Sequence, residues 1–480
     1  YPLVTGVQTC ALPIFICPEP GAVDNAVTRS SMAVVPGLPG QDREGTASIT
    51  YLKSVDDTEG QGVAPPQAAL ASPGDSARVT SNARRLPPLN ITTQGSLAPG
   101  LVATQSTVKL YDQDRGLAST ACLGPDTSWW FAGGGSTAGR DSQLVLVNPE
   151  SSPAELEVTI AGPDGPVSTP SLRGIVVAPG ARTVIRLSQE APKLTAAVWH
   201  VNVRAGRVVA AVFDSEMAGY VPRGADWIPA AADPATRQLI PGIIPGPGDR
   251  QLVIHAPGTT DATVQVRLIT RSGAYVPSAL SQVDVPAGGV VAVDLSKATD
   301  GQAVTLDLRS DQPIVAGVRQ WHPGIDATAD ATEEESYAAA AVPFQDVAAA
   351  SGLPAQRSTG VTLWLTSAAL TNPDDTAIAK DDSVSATITL LPDNGAATVL
   401  KTVQVPANRV VEVYLQRPAN STWFTAIVQA SGGSLVAAHR VVVRNSAGSL
   451  ISGFPWRPLR TTVEVPSARV DAGISLPNPG

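Results

Sequence analysis

Three stretches of the chain alternate apolar and polar residues, which is the pattern of a β-strand with one buried face. They read AELEVTI at residues 154–160, ATVQVRL at 262–268 and VSATITL at 384–390. A glycine stands 11 positions after the start of each stretch, at Gly165, Gly273 and Gly395. Because glycine adopts the positive φ that tight hairpin turns need, each stretch predicts a strand followed by a hairpin turn.

The features that follow these stretches recur in the same order, which indicates an internal repeat. A strand ending in proline comes next, at Pro179, Pro286 and Pro406, so the period is 107 and then 120 residues. Each copy continues with an apolar strand and a small-residue strand, and closes on an aromatic–proline cluster. This period is too long for a solenoid unit and fits a sandwich domain of about 100 residues. We therefore predict an all-β chain of tandem immunoglobulin-like β-sandwich repeats.

The N-terminal part of the chain lacks this repeat but contains short strand patterns, and predicts a distinct β-rich domain. Residues 4–14 resemble a translated sequencing adapter, so residues 1–14 are set aside as a non-native segment and the true N-terminus is expected to be missing. The chain is predicted to divide into an adapter-derived segment (1–14), a β-rich N-terminal domain (15–140), three sandwich repeats (141–236, 237–350 and 351–460) and a C-terminal tail (461–480).

Composition narrows the functional classes. Of 480 residues, 16% are charged, and the net charge is −9. An acidic chain without a basic cluster is a poor partner for nucleic acid. The apolar share of 43% suffices for several cores, but no apolar run approaches the roughly 20 residues that cross a bilayer. Membrane attachment is therefore expected only through an N-terminal segment that this sequence lacks.

The cysteines indicate the redox compartment. Setting aside Cys10 with the adapter-like segment leaves Cys17 and Cys122. Two cysteines in a long chain fit one disulfide in an exported protein, and the alternative is a pair of buried free thiols. Neither has a histidine or a second cysteine at metal-ligand spacing, so we expect no metal site.

Several short motifs resemble those of one family. They are Cys17-Pro18, Cys122 followed by Trp129-Trp130-Phe131-Ala132-Gly133-Gly134, and the strand end Leu146-Val147-Asn148-Pro149. The chain is similar in these motifs to an uncharacterised domain-of-unknown-function family of secreted or membrane-anchored actinobacterial proteins. The resemblance implies an extracellular or cell-envelope location, with tethering by an N-terminal membrane segment. It implies no catalytic residue.

No group of residues points to catalysis. His200, His255, His322 and His439 are far apart in the chain, and we expect strand histidines with satisfied hydrogen bonds. The run Gly133-Gly134-Gly135-Ser136 precedes a strand pattern instead of the helix that a phosphate-binding loop needs. The acidic runs 333–335, 374–375 and 381–382 lack the ligand spacing of a calcium loop. We interpret them as solvated loop charge.

Trp129, Trp130 and Phe131 are the candidate binding residues, because aromatic residues make up only 4% of the chain. Exposed aromatic faces bind sugar rings or protein hot spots, and the alternative is a packing anchor between the N-terminal domain and the first repeat. The predicted function is a non-enzymatic, secreted or cell-envelope scaffold or interaction module without a cofactor. Its partners would be envelope proteins or cell-wall glycans. A glycan-binding surface protein and a secreted hydrolase with a loop-built site are the two alternatives.

Overall fold

The computed structural model describes residues 14–18, 26–41, 44–52, 67–82, 87–323, 333–369, 383–445 and 448–461. Strands dominate these residues, and the α-helices are single turns, α1 (Leu187–Glu190) and α2 (Ser296–Thr299). Neither of them, nor any other helix in the described residues, has the length and apolar character needed to cross a membrane. The predicted all-β fold class is confirmed.

The chain forms four antiparallel β-sandwiches in tandem, and all four have the same strand order. With eight strand positions numbered along the chain, positions 4-3-6-1 form one sheet, called the A sheet here, and positions 5-2-7-8 form the B sheet. An apolar core lies between the two sheets. The sandwiches therefore share the two-sheet architecture of immunoglobulin domains and have a strand order of their own.

The first sandwich is the N-terminal region, which has the strand order of the repeats although its sequence pattern differs. Ile14, set aside with the adapter-like segment, opens its first strand and pairs with Thr92, while residues 1–13 lie outside the described residues. The strands are β1 (Ile14–Cys17), β2 (Ala26–Val34), β3 (Gly45–Tyr51), β4 (Ala68–Leu70), β5 (Ser76–Ser81), β6 (Leu89–Gly95), β7 (Leu101–Lys109) and β8 (Gly116–Ala121).

The second sandwich begins with the strand that carries Trp129, Trp130 and Phe131. That strand pairs with the sixth-position strand of this sandwich, so the sandwich starts before the predicted boundary at residue 141. Two short strands share the fourth position. The strands are β9 (Ser128–Gly134), β10 (Arg140–Val147), β11 (Ala154–Gly162), β12 (Gly165–Val167), β13 (Ile175–Val177), β14 (Arg182–Arg186), β15 (Ala197–Ala205), β16 (Val209–Ala218) and β17 (Val221–Ile228).

The third sandwich has one long strand that fills the sixth and seventh positions and so passes from the A sheet into the B sheet. The strands are β18 (Ala235–Ile243), β19 (Arg250–His255), β20 (Ala262–Ile269), β21 (Ala274–Tyr275), β22 (Val283–Val285), β23 (Val290–Asp294), β24 (Val304–His322) and β25 (Glu334–Ala339).

The fourth sandwich ends in a segment, residues 453–461, that runs back over its first strand, and residues 462–480 lie outside the described residues. Its strands are β26 (Val347–Pro354), β27 (Thr359–Ser367), β28 (Ser383–Pro392), β29 (Thr398–Pro406), β30 (Val410–Tyr414), β31 (Trp423–Ser431), β32 (Leu435–Asn445) and β33 (Gly448–Ser452).

The four sandwiches close into a ring, because the A sheet of each one packs against the B sheet of the next. The A sheet of the fourth sandwich packs against the B sheet of the first and completes the circle. Each of these four seams is filled by apolar side chains. They include Ile16, Phe213 and Trp227 between the first and second sandwiches, Trp130 and Ala132 between the second and third, Ile244 and Trp364 between the third and fourth, and Val347, Ile427 and Val102 between the fourth and first.

The eighth-position strands β8, β17, β25 and β33 meet at the centre of the ring, where each contacts the next. Glycine permits this close approach. A Cβ on Gly116 would lie 2.9 Å from the backbone nitrogen of Ala225, and one on Gly224 would lie 2.8 Å from the Cβ of Glu335. This central region is called the axis below.

Candidate functional site

The structure joins Cys17 and Cys122 in a disulfide. Cys17 ends β1, and Cys122 directly follows β8, so the bond connects the two ends of the first sandwich. The chain beside the bond is also paired: the backbone nitrogen of Ile16 donates to the oxygen of Leu123 at 2.8 Å. Both cysteines are buried in the core of the first sandwich. The alternative of two free thiols does not hold in this structure.

Trp129, Trp130 and Phe131 are all buried, at 4%, 8% and 1% exposure. Their strand lies in an A sheet whose two faces are both covered. Trp129 and Phe131 point into the core of the second sandwich, whereas Trp130 lies in the seam with the third. The Trp129 indole donates to the backbone oxygen of Val208 at 3.0 Å. The structure thus places Trp129 and Phe131 inside the first predicted repeat and Trp130 between the first and second repeats, and not between the N-terminal domain and the first repeat.

Two of the four histidines, His200 and His255, lie against the same ring, that of Trp130, whereas His322 and His439 lie elsewhere. His200 stacks on Trp130 with ring centroids 3.8 Å apart, and burial lowers its pKa to about 4. His439 accepts a hydrogen bond from the indole of Trp456 at 2.8 Å, and burial lowers its pKa to about 3. Among the described residues, no group of three or more His, Cys, Asp or Glu side chains could hold a metal ion.

Buried carboxyl groups at the axis connect different sandwiches. Asp226 of β17 accepts hydrogen bonds from the backbone nitrogen of Ser119 at 2.9 Å and from the hydroxyl of Ser452 at 3.0 Å. Burial raises the pKa of Asp226 well above its usual value, although these hydrogen bonds lower it in part. Glu334 of β25 forms an ion pair with Arg115 at 2.5 Å. Burial nevertheless raises the pKa of Glu334 to about 8.

A second buried network, the axial charge cluster, joins the second and third sandwiches through Arg140, Asp214, Arg319, Glu335 and Tyr337. Arg140 donates to Asp214 at 3.0 Å, and Arg319 forms an ion pair with Glu335. The Tyr337 hydroxyl lies between the two carboxylates, 2.5 Å from that of Asp214. Burial raises the pKa of Glu335 and of Tyr337.

The interpretation of residues 333–335 as solvated loop charge is wrong for two of the three. Glu334 and Glu335 are 1% and 0% exposed, because they begin a strand that lies at the axis, where they pair with Arg115, directly before β8, and with Arg319 of β24. Only Glu333 fits the expectation, since it is partly exposed and pairs with Arg223. The runs 374–375 and 381–382 lie outside the described residues.

These networks position the sandwiches and offer no access to a substrate. Strongly shifted carboxyl groups often mark catalytic sites, but those at the axis are enclosed by packed strands, and ligand sites are open clefts. A buried ion pair contributes little net stability, and breaking it by removing one partner is costly. Sequence reasoning missed Asp214, Asp226 and the arginines of these networks, and it assigned Glu334 and Glu335 to a solvated loop. The available signal was charge inside strand patterns, as in RDSQLVLV at residues 140–147.

A cavity of about 830 Å³ opens where the first, second and fourth sandwiches meet, and it brings together two of the residues singled out in the sequence, Cys122 and Trp129. The segment between the first two sandwiches contributes Asp126. The final segment, residues 453–461, forms another wall. The charged side chains on the cavity are Asp126 and three arginines, Arg207, Arg457 and Arg460.

The final segment holds this wall in place by backbone hydrogen bonds to two sandwiches. Leu459 donates to the oxygen of Val347 on β26 at 2.9 Å, and the oxygen of Arg460 accepts from Gly100 of the first sandwich at 3.0 Å. A smaller cavity of about 290 Å³ lies on the same seam, lined by Arg29, Arg78 and His439 among others. The seam that closes the ring is therefore the place where cavities and arginines coincide.

Comparison with protein families matches residues 71–416 to the family described as "Family of unknown function (DUF5719)". The match begins just before β5 of the first sandwich, ends just after β30 of the fourth, and so crosses every junction between consecutive sandwiches. No curated protein matches the chain. Because the match covers well over half of its length, the chain belongs to the DUF5719 family.

Proposed function

We propose that the protein is a non-enzymatic module of the cell envelope or the extracellular space, in which a closed ring of four sandwiches holds partner-binding surfaces in fixed positions. The closure of the ring is the observation that carries this proposal. Each sandwich is held by two apolar seams and by its eighth strand at the axis. Separate spacer domains on linkers would lack such shared cores, since interfaces between independent domains are small and more polar.

The location follows from the disulfide and from the motifs. A buried disulfide persists in oxidising compartments and is rare in the cytosol, and the Cys17–Cys122 bond lies in the core of the first sandwich. The resemblance to secreted or membrane-anchored actinobacterial proteins agrees with this. Labelling of intact source cells with a membrane-impermeant amine reagent should modify the protein. Labelling only after lysis would contradict the proposed location.

The hydrolase alternative has less support, because three buried carboxyl groups with raised pKa values, Asp226, Glu334 and Glu335, are enclosed at the axis. The glycan-binding alternative requires an aromatic face open to a sugar ring. The burial of Trp129, Trp130 and Phe131 argues against these residues as that face. A glycan array with the purified protein tests this alternative directly, and strong signal that survives Trp129→Ala would assign glycan binding to another surface.

The scaffold role can be tested by photo-crosslinking from two exposed side chains, Tyr111 and Tyr220, at 64% and 99% exposure. A photoreactive residue at either position should capture the same envelope partners in cells. Gly224→Ala, which forces β17 away from Glu335, should reduce this capture if the intact ring is required. Gly219→Ala is the matched control, since its Cβ would meet no atom within 4 Å. Unchanged capture by Gly224→Ala protein whose axis has opened would refute the proposal.

A further inference from the structure

The cavity at the junction of the first, second and fourth sandwiches has the size of a ligand site. Its volume of about 830 Å³ lies within the range of roughly 300–1,000 Å³ that holds small molecules. Its walls come from three sandwiches and from the final segment, residues 453–461. The site therefore exists only in the closed ring.

The charge of the cavity is opposite to that of the chain. The protein carries a net charge of −9, yet the charged side chains on the cavity are three arginines and one aspartate. Arg207 is already paired with Glu150. Among the described residues, no carboxylate lies within ion-pair distance of Arg457 or Arg460. Within the part of the chain that the structure describes, these two guanidinium groups therefore have no ion-pair partner and are available to an anion.

Arg457 is the better placed of the two. Its guanidinium carbon lies 5.9 Å from the centre of the Trp129 ring, and one Nη donates to the backbone oxygen of Ala230 at 3.1 Å. An arginine has five N–H donors, so this bond leaves donors for a carboxylate or phosphate, which arginine binds in a bidentate manner. Burial lowers the pKa of the Arg457 guanidinium, and Asp126 and Asp233 offset this in part.

Apolar side chains beside the arginines are only partly covered by the protein. Phe15, Leu123 and Leu459 are half-buried, and Val342 is 42% exposed; all four line the cavity. Partly exposed apolar side chains next to a cation without an ion-pair partner form a surface that is apolar in one part and positively charged in another. We propose that this cavity binds an amphiphile, with its acidic head group, a carboxylate or a phosphate, on Arg457 and its apolar tail against these side chains.

Calorimetric titration of the delipidated, oxidised protein tests this assignment. The probes are dodecanoate and dodecyl phosphate, with 1-dodecanol as the neutral match and inorganic phosphate as the head group without a tail. We expect one molecule of either acidic amphiphile per chain, bound about tenfold more tightly than the alcohol or inorganic phosphate, because arginine and the apolar wall both contribute. Arg457→Gln should weaken both acids to the level of the alcohol. Arg173→Gln, an exposed arginine of the second sandwich, should change nothing.

A second variant keeps the test decisive should Arg457→Gln fail to fold. Ala121→Leu adds volume at a half-buried position on the cavity and retains all three arginines. It should weaken the acids and the alcohol alike. Equal affinity for dodecanoate and dodecanol, equal affinity for dodecyl phosphate and inorganic phosphate, or unchanged binding in Ala121→Leu would each overturn the assignment. None of these measurements depends on a protein partner, so they succeed or fail independently of the scaffold role.

Discussion

The disulfide should stabilise the first sandwich specifically, and the size of that effect follows from its position. The bond joins residues 105 positions apart, so the loop that it closes contains β2–β8 of the first sandwich. In the chain-entropy account, closing a loop of this length removes about 4.7 kcal/mol of conformational freedom from the unfolded state. We therefore expect the double variant Cys17→Ala/Cys122→Ala to lower the local stability of the first sandwich by about 4–5 kcal/mol.

Hydrogen exchange followed by mass spectrometry measures this effect where it occurs, because a chain of four sandwiches need not unfold in two states. Backbone amides that pair β2 with β7 report on the first sandwich. Since about 1.4 kcal/mol corresponds to a tenfold change in an equilibrium constant, they should exchange about 10³-fold faster in the variant. Amides that pair β19 with β23 in the third sandwich are the internal reference and should change far less.

Reduction of the unaltered protein separates the bond from the loss of the sulfur atoms. Unfolding in denaturant with a reducing agent, followed by refolding under reducing conditions, should reproduce the faster exchange of β2 and β7. The reasoning is refuted if these amides change less than about tenfold, or if protection falls equally in all four sandwiches. An equal fall would mean that the bond acts on the ring as a whole and not on the sandwich that it encloses.

Three further outcomes are expected. Gly224 has φ +121° and lies next to Glu335, so Gly224→Ala should lower the free energy of unfolding in urea by about 3 kcal/mol. Gly219→Ala, whose Cβ would meet no atom within 4 Å, should lower it by about 1 kcal/mol. The folded-state pKa of His439, about 3, lies below its usual 6.5. Stability from its neutral form is therefore fully present above pH 6.5, and each pH unit lost between 6.5 and about 3 lowers the free energy of unfolding by about 1.4 kcal/mol. With His439→Gln, the urea midpoint should change less between pH 6 and 5 than it does in the parent protein. Trp456→Ala, at a fully buried ring, should cost about 3–5 kcal/mol, and a loss below 1 kcal/mol would contradict its place in the core.

Three of the four sandwiches could be predicted from sequence, because their third strands alternate apolar and polar residues over seven or more positions. The stretches that became β11, β20 and β28 place apolar residues toward the core at every second position. The corresponding strand of the first sandwich, β3, is shorter and buries only Ala47 and Ile49. Strand order depends on backbone pairing, which many side-chain patterns permit, so the shared topology of the first sandwich became visible only in the structure.

The aromatic run at residues 129–131 shows how burial on two faces alters a pattern. In a strand with one buried face, two of three adjacent residues would share a side and the third would be exposed. Here the A sheet is covered on both faces, so an uninterrupted apolar run is the pattern to expect. The low aromatic content makes the run stand out in the sequence, but its two-sided burial depends on the third sandwich, which lies more than 100 residues further along the chain.

The axial contacts could not be predicted for a related reason. Arg115 and Glu334 are 219 positions apart, and Ser119 and Asp226 are 107 apart. A charge within a strand pattern indicates a paired position but does not name its partner, because any of four sandwiches can supply it. What the sequence does contain is a charge within a strand pattern, as at Arg140 in RDSQLVLV.

Closure of the ring gives a physical reason for four copies. Each A sheet carries apolar side chains on the face away from its own core, and a linear array would leave the first B sheet and the last A sheet exposed, which repeat proteins avoid with polar caps. In this protein those two surfaces cover each other. Ala33, Val35 and Val102 lie on one side, and Val347, Ala349 and Ile427 lie on the other. The N-terminal region is therefore the element that completes the circle. Its sequence differs from the other copies, but it also presents apolar side chains to the neighbouring sandwich.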